Sequence, residues 1–240
     1  MNVRAGEKCE VTDLVGSSTC NGTAGGVVAC HESACGDGYS NTNAGERCDD
    51  GRDTQGCNGN GSDVDGSLSR QAYCQPARCG DHYTNKAFTP QGAASPETCD
   101  DGGSDTALCN GSGAGMVSCH DAMCGDLYVN KEAGERCDLG ENDSPVCNGK
   151  QAGDVKCKLS ICGDGYTNKE SDEECDPGSG DSLKALVDAG CNGPSAGAVK
   201  CRLSRCGDGY VNRAAGEQCE SNDNRCGQGL RCAECQCRQQ

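Results

Sequence analysis

Cys35-Gly36-Asp37-Gly38-Tyr39-Ser40-Asn41, followed by Gly45-Glu46-Arg47-Cys48-Asp49, is the stretch on which the reading of this chain turns. It returns as Cys79-Gly80-Asp81-His82-Tyr83-Thr84-Asn85 with Glu97-Thr98-Cys99-Asp100, and as Cys124-Gly125-Asp126-Leu127-Tyr128-Val129-Asn130 with Gly134-Glu135-Arg136-Cys137-Asp138. Two further copies are Cys162-Gly163-Asp164-Gly165-Tyr166-Thr167-Asn168 with Glu173-Glu174-Cys175-Asp176, and Cys206-Gly207-Asp208-Gly209-Tyr210-Val211-Asn212 with Gly216-Glu217-Gln218-Cys219-Glu220. The blocks start 44, 45, 38 and 44 residues apart, a spacing that signals tandem repeats.

Two more landmarks lie between the blocks. One is Cys-Asn-Gly, at Cys20, Cys57, Cys109, Cys147 and Cys191. The other is a Cys-x4-Cys pair, at Cys30/Cys35, Cys74/Cys79, Cys119/Cys124, Cys157/Cys162 and Cys201/Cys206. Four cysteines per repeat allow three connectivities, and spacing does not choose among them. The expected division is an incomplete first repeat at 1–34, repeats at 35–78, 79–123, 124–161 and 162–205, and a C-terminal capping repeat at 206–240. The cap crowds in Cys226, Cys232, Cys235 and Cys237, as atypical terminal repeats do.

The first repeat holds Cys9, Cys20 and Cys30 but lacks a leading Cys-Gly-Asp half, which accounts for the odd total of 25 cysteines. Either the chain is a trimmed piece of something longer, the plainer alternative, or another copy supplies the missing half. The second case would make a head-to-tail polymer, with an intermolecular disulfide as one form of it.

Composition narrows the class. Only 34% of the 240 residues are hydrophobic, with one Phe, no Trp and a net charge of −16. Such a chain would read as disordered, but about a tenth of it is cysteine, which marks a disulfide scaffold in an oxidising compartment. Hence the fold expected is a set of small disulfide-rich tandem repeats with little regular secondary structure, forming an elongated rod. An acidic chain is unsuited to nucleic acid and suited to cations. No apolar run approaches the ~18 residues of a membrane span. No signal peptide is visible, so a secretion signal is expected to have been removed or to lie upstream. Extracellular or cell-surface placement follows from the cysteines.

Short β-hairpins are expected at Asn-Gly, where both residues tolerate positive φ. Short strands are expected over 26–30, 115–119, 154–157 and 198–201. A short helix is expected over 181–190, and the insertions 60–73 and 87–96 read as surface loops.

Each block sets hard oxygen donors around two cysteines, and this is the pattern of a calcium site, about one ion per complete repeat. In the first block Asp37, the Tyr39 carbonyl and Asn41 alternate as the early ligands of an EF-hand loop do, with Glu46 and Asp49 closing the shell. The corresponding sets are Asp81, Asn85, Glu97 and Asp100; Asp126, Asn130, Glu135 and Asp138; Asp164, Asn168, Glu173 and Asp176; and Asp208, Asn212, Glu217 and Glu220. Five divalent ions would bring the charge from −16 to −6. The plainer alternative is that Asp and Asn make side-chain turns and caps with the backbone. In the first repeat only Asn2, Glu7 and Glu10 are offered, too few for a site.

The recurring Tyr39, Tyr83, Tyr128, Tyr166 and Tyr210 read as residues packed on disulfides or stapling one repeat to the next. Zinc is the rival of disulfides, hinted at only by Cys232-x2-Cys235-x-Cys237, where a crowded disulfide cap is preferred. His31, His82 and His120 read as surface residues, and Asn21, Asn60, Asn110 and Asn142 are candidate glycan acceptors. There is no phosphate-binding loop, nucleophile elbow or His/Cys pairing, so an enzyme is not expected.

Cys-Gly-Asp-Gly with Gly45-Glu46-Arg47-Cys48-Asp49-Asp50-Gly51 resembles the myxobacterial-type cysteine-rich repeats of bacterial surface and secreted proteins, and looks distantly like Notch-type calcium repeats. The resemblance covers essentially the whole chain. It implies extracellular exposure, disulfides, calcium binding and a stalk or adhesion role, with no single activity to transfer. The Cys-Asn-Gly landmark and the Cys-x4-Cys pair make longer units than that pattern has. The expected function is an extracellular stalk or the subunit of a surface fibre, its partner another copy of itself. The alternatives are an adhesion module that recognises a glycan or surface protein through variable loops, and an accessory region of a larger secreted enzyme.

Overall fold

A computed structural model describes residues 6–61, 69–178, 190–221 and 226–239. The helix expected over 181–190 falls almost wholly outside them, as does Asn2. The chain divides into two compact units, Met1–Met123 with Asn130–Gly134 and Cys124–Val129 with Glu135–Gln240.

Twelve disulfides set the connectivity. Short bridges join Cys9–Cys20, Cys48–Cys57, Cys99–Cys109, Cys137–Cys147, Cys175–Cys191 and Cys219–Cys232. Long bridges run from each Cys-Gly-Asp cysteine to the first cysteine of the next Cys-x4-Cys pair, and in the cap to Cys235: Cys35–Cys74, Cys79–Cys119, Cys124–Cys157, Cys162–Cys201 and Cys206–Cys235. Cys226–Cys237 adds a third bridge to the cap. Members of a Cys-x4-Cys pair therefore never share a bridge. By loop closure alone a span of about 10 residues is worth about 3 kcal/mol and one of about 39 about 4 kcal/mol.

Regular structure is sparse, because the chain has little apolar surface to bury. Among the described residues it consists of 3-10 turns and one hairpin, β1 (Leu230–Ala233) against β2 (Gln236–Gln239). The hairpin loop is Glu234-Cys235, both left-handed at φ 52 and 54, as a two-residue hairpin turn requires. The segments expected to be strands are instead 3-10 turns, at Thr23–Val28, Gly115–Val117, Gly153–Val155 and Gly197–Val199. Backbone reversal explains the difference. A left-handed glycine lies at or within each turn (Gly26, Gly115, Gly153, Gly197), and the cysteine just beyond is left-handed too, at φ 49 to 55 for Cys30, Cys119, Cys157 and Cys201. No extended run fits between two such residues.

Cys-Asn-Gly is not a hairpin turn either. Gly22, Gly59, Gly111 and Gly149 do not have positive φ; a Cβ on them would lie 2.1 Å from Leu14 O, 2.8 Å from Arg52 C, 2.6 Å from Ser104 C and 2.5 Å from Asn142 C. Close approach of two backbones demands glycine there. The landmark cysteines instead make single antiparallel bridges: Cys20 to Glu32, Cys57 to Pro76, Cys109 to Asp121, Cys147 to Leu159 and Cys191 to Leu203.

What is buried is covalent and polar rather than aliphatic. Cys20, Cys57, Cys74, Cys109, Cys119, Cys157 and Cys201 are at most 2% exposed, whereas Val27 is 95% and Leu108 77% exposed. Among the described residues no helix is long and apolar enough to cross a membrane.

Candidate functional site

Each block is organised by its asparagine. In the first block the Asn41 amide N–H donates to Glu46 Oε2 at 2.7 Å, and Asn41 Oδ1 accepts the N–H groups of Asn43 and Ala44, capping the 3-10 turn Thr42–Ala44. Its Nδ2 donates to Ser17 O at 2.9 Å, Cys20 O at 3.2 Å and Asn21 Oδ1 at 3.4 Å. Asn21 in turn donates to Asp37 Oδ2 at 2.7 Å. Asparagine suits this place because one short side chain supplies two donors and an acceptor.

The arrangement recurs. Asn85 holds Glu97 at 2.9 Å and Asn58 at 3.0 Å, and Asn58 holds Asp81 at 2.8 Å. Asn168 holds Glu173 at 2.8 Å and Asn148 at 3.0 Å, and Asn148 holds Asp164 at 2.9 Å. Asn212 holds Glu217 at 2.7 Å and Asn192 at 3.1 Å, and Asn192 holds Asp208 at 2.9 Å. Of the third set, Asn130 belongs to the first unit, where it donates to Asn110 Oδ1 at 2.9 Å, while Asp126, Glu135 and Asp138 belong to the second. Asn21, Asn58, Asn110, Asn148 and Asn192 are fully buried, and sequence reasoning missed them as the other half of this clasp. The signal was present: an Asn follows the landmark cysteine in every copy.

The acids receive backbone N–H groups. The first Asp of each block accepts the amide of the tyrosine two residues on, at 2.9 to 3.0 Å: Asp37 from Tyr39, Asp81 from Tyr83, Asp126 from Tyr128, Asp164 from Tyr166, Asp208 from Tyr210. The last Asp gathers three or more amides. Asp49 accepts from Gly36 at 2.8 Å, Gly38 at 3.2 Å and Gly51 at 2.8 Å. Asp138 does so from Gly125, Leu127 and Gly140, and Asp176 from Gly163, Gly165 and Gly178. In the last block the longer Glu220 reaches Gly209 at 2.9 Å. Charge-assisted bonds of this kind are about twice as strong as neutral ones.

Burial and like charge act on the glutamates. Burial raises the pKa of Glu46 and Glu173, assisted by the neighbouring aspartates and opposed by the asparagine N–H. Glu97 is the extreme case. It is 2% exposed, its Oε1 is buried without a hydrogen-bond partner, and its pKa is pushed up to about 8 by burial and then by Asp100, Asp81 and Asp53.

Where acids cluster, the donors that converge are carboxylate oxygens. Carboxylate oxygens of Glu46 and Asp49 lie within 4.8 Å of each other and of Cys74 Sγ. Cys74 is in a disulfide and supplies no thiolate, and the same holds for Cys79 and Cys119 beside Glu97, and for Cys219, Cys226 and Cys232 in the cap. The amide oxygens of Asn41 and Asn168 each accept two backbone N–H groups within their turns.

Three of the tyrosines staple a repeat to the one before it through their hydroxyls. Tyr39 donates to Leu14 O and Val15 O, Tyr83 to Asp53 Oδ1 at 2.7 Å, and Tyr166 to Asp143 Oδ2 at 2.8 Å. Of the histidines only His82 is exposed; His31 and His120 are half-buried, with Nδ1 against Ala29 O and Ser118 O. Asn21 and Asn110 are withdrawn as glycan acceptors, since both are fully buried, whereas Asn60 and Asn142 are exposed. A cleft of about 400 Å³ opens beside Tyr83, lined among others by Arg52, Asp53, Asn60 and Lys86.

Comparison with protein families, with curated proteins and with solved structures finds no match. The resemblance to myxobacterial-type repeats therefore rests on the motif residues alone.

Proposed function

We propose that this chain is an extracellular structural protein, an elongated array of disulfide-stapled repeats of the myxobacterial type that serves as a stalk or fibre subunit. The observation that carries the proposal is the use made of the recurring polar residues. Each Cys-Gly-Asp block is tied back to a Cys-Asn-Gly landmark by an asparagine pair, as Asn41 is to Asn21, and forward by a long disulfide, as Cys35 is to Cys74. Covalent and polar ties of this density suit a load-bearing chain that has too little apolar surface for an ordinary core. The disulfides imply an oxidising environment, which supports placement outside the cell. Negative-stain images of purified protein should show particles several times longer than wide, or end-to-end filaments. Compact particles would overturn the proposal.

Calcium is the second part of the reading, favoured by the Glu46–Asp49 pair and by the partnerless oxygen of Glu97. Ions there would be held by carboxylates, with water completing a shell of six to eight oxygens. Millimolar calcium should raise the melting temperature by several degrees and EDTA should reverse it. An unchanged melting curve removes calcium and leaves the stalk proposal standing.

A further inference from the structure

The twelve disulfides use every cysteine but one, and the one is Cys30. Its five positional equivalents, Cys74, Cys119, Cys157, Cys201 and Cys235, each bond the cysteine of a Cys-Gly-Asp segment 29 to 40 residues earlier in the chain. We infer that Cys30 is the receiving half of a thirteenth disulfide, whose other half is the cysteine of a Cys-Gly-Asp segment that is not one of the five in residues 1–240.

The thiol alone would not support this; the five ligated equivalents do, because Cys30 is built as they are. Its φ is 55, against 49, 53, 50, 49 and 54 for Cys74, Cys119, Cys157, Cys201 and Cys235. Its carbonyl accepts Lys8 N and Cys9 N as that of Cys74 accepts Arg47 N and Cys48 N, and its own N–H donates to Asn21 O as that of Cys74 donates to Asn58 O. The left-handed region is unfavourable for a non-glycine residue. At the other five positions that geometry aims a sulfur at its partner.

Burial supplies a further difference. The five equivalents are 0 to 3% exposed, and Cys30 is half-buried. Cys30, which no Cys-Gly-Asp cysteine bonds, is thus the most exposed of the six. The donor cannot be one of the five existing segments while their bridges stand, since Cys35, Cys79, Cys124, Cys162 and Cys206 are all bonded. Nor can it be the cap of another copy, whose Cys219, Cys226, Cys232, Cys235 and Cys237 are bonded as well. The segment belongs either to the same polypeptide or to a separate chain, and the chemistry is the same for both.

The joining step is thiol–disulfide exchange. The Cys30 thiolate attacks the donor sulfur of a donor–glutathione mixed disulfide, the new S–S bond forms, and glutathione leaves as its thiolate with no net oxidation.

The test uses the 240-residue chain, bridges intact, in a glutathione redox buffer. The probe is the acetylated peptide Cys-Gly-Asp-Gly-Tyr-Thr-Asn, the sequence of residues 162–168, and the control is Cys-Tyr-Gly-Asn-Asp-Gly-Thr, of the same composition. Both are supplied as glutathione mixed disulfides, and capture is read by mass spectrometry of the unreduced protein and its digest. Cys30 should take the native-order peptide with an equilibrium constant about tenfold above the control, equivalent to about 30 mV. Cys30→Ser should capture neither. Equal capture of the two peptides, a Cys30–Cys30 dimer in their place, or capture at another cysteine would overturn the inference. In unreduced native material the Cys30 peptide should be joined to a Cys-Gly-Asp peptide. The intact mass before and after reduction then says whether one chain or two are involved, and a small-molecule cap on Cys30 sinks the idea. None of these outcomes depends on particle shape, so the inference and the stalk proposal fail separately.

Discussion

The blocks at 35–49 and 79–100 carry the same clasp with different lids. In the first, Glu46 lies five positions after Asn41; in the second, Glu97 lies twelve after Asn85, yet the N–H to carboxylate bonds are 2.7 and 2.9 Å. The longer spacer, over 87–96, is the surface loop expected, without helix or strand and largely exposed. It is clamped by Gln55 and Thr89, which exchange two bonds of 3.0 Å, and by Ser95 Oγ at 2.6 Å from His120. Glu97 is 2% exposed, against 7% for Glu46, and Asp100 has a fourth amide donor, Asp81 N, where Asp49 has three. Two clasps of the same bond geometry thus differ in burial and in electrostatics.

The largest expected effect is common to both blocks. Asn41→Ala and Asn85→Ala keep the backbone N–H that the glutamate accepts but each strand two carbonyls and the amide oxygen of the partner asparagine, and each should cost about 3 kcal/mol or more in denaturant unfolding. A markedly smaller loss at Asn41 would show that the two clasps are not equivalent.

Next comes pH, measured in EDTA. The folded-state pKa of Glu97 is raised from 4.5 to about 8, so its contribution is fully present below pH 4.5 and is lost as pH rises towards 8. The melting temperature should fall across that window, and Glu97→Gln should flatten the fall and stabilise the protein at pH 8. Glu46→Gln should act in the same direction but less. Equal pH profiles for wild type and Glu97→Gln would contradict the burial argument.

The smallest effect concerns the staples. Tyr83 is 2% exposed, stands edge-on to Tyr73 with ring centroids 5.7 Å apart, and donates to Asp53. Tyr83→Phe should cost about 1 kcal/mol. Tyr39→Phe, at a half-exposed site where the hydroxyl meets only carbonyls, should cost less. Reversal of that order would mean that the ring and not the hydroxyl does the stapling.

Much of this was legible in the residues. Regularly spaced Cys-Gly-Asp and Cys-Asn-Gly motifs mark a disulfide scaffold poor in regular structure, and the cysteine count foretells an odd thiol. The alternation of Asp37, Tyr39 and Asn41 shows that polar side chains converge, but not on what. Calcium ligation and backbone capping call for the same residue types, and only the direction of the N–H groups tells them apart. The valines before Cys30, Cys119, Cys157 and Cys201 suggest strands, and the left-handed residues on either side forbid them.

By itself, then, the sequence determined composition-level facts: a cysteine content that marks a disulfide scaffold, too few apolar residues for an aliphatic core, and repeated local motifs. The tertiary structure decided the pairing of cysteines 29 to 40 residues apart, the asparagine pairs, and the identity of Cys30 as the unpaired one. The physical reason is range. A turn is specified by neighbours along the chain, whereas a disulfide or a buried amide pair is specified by which distant backbones come close, and Gly22, Gly59, Gly111 and Gly149 mark the places where they do.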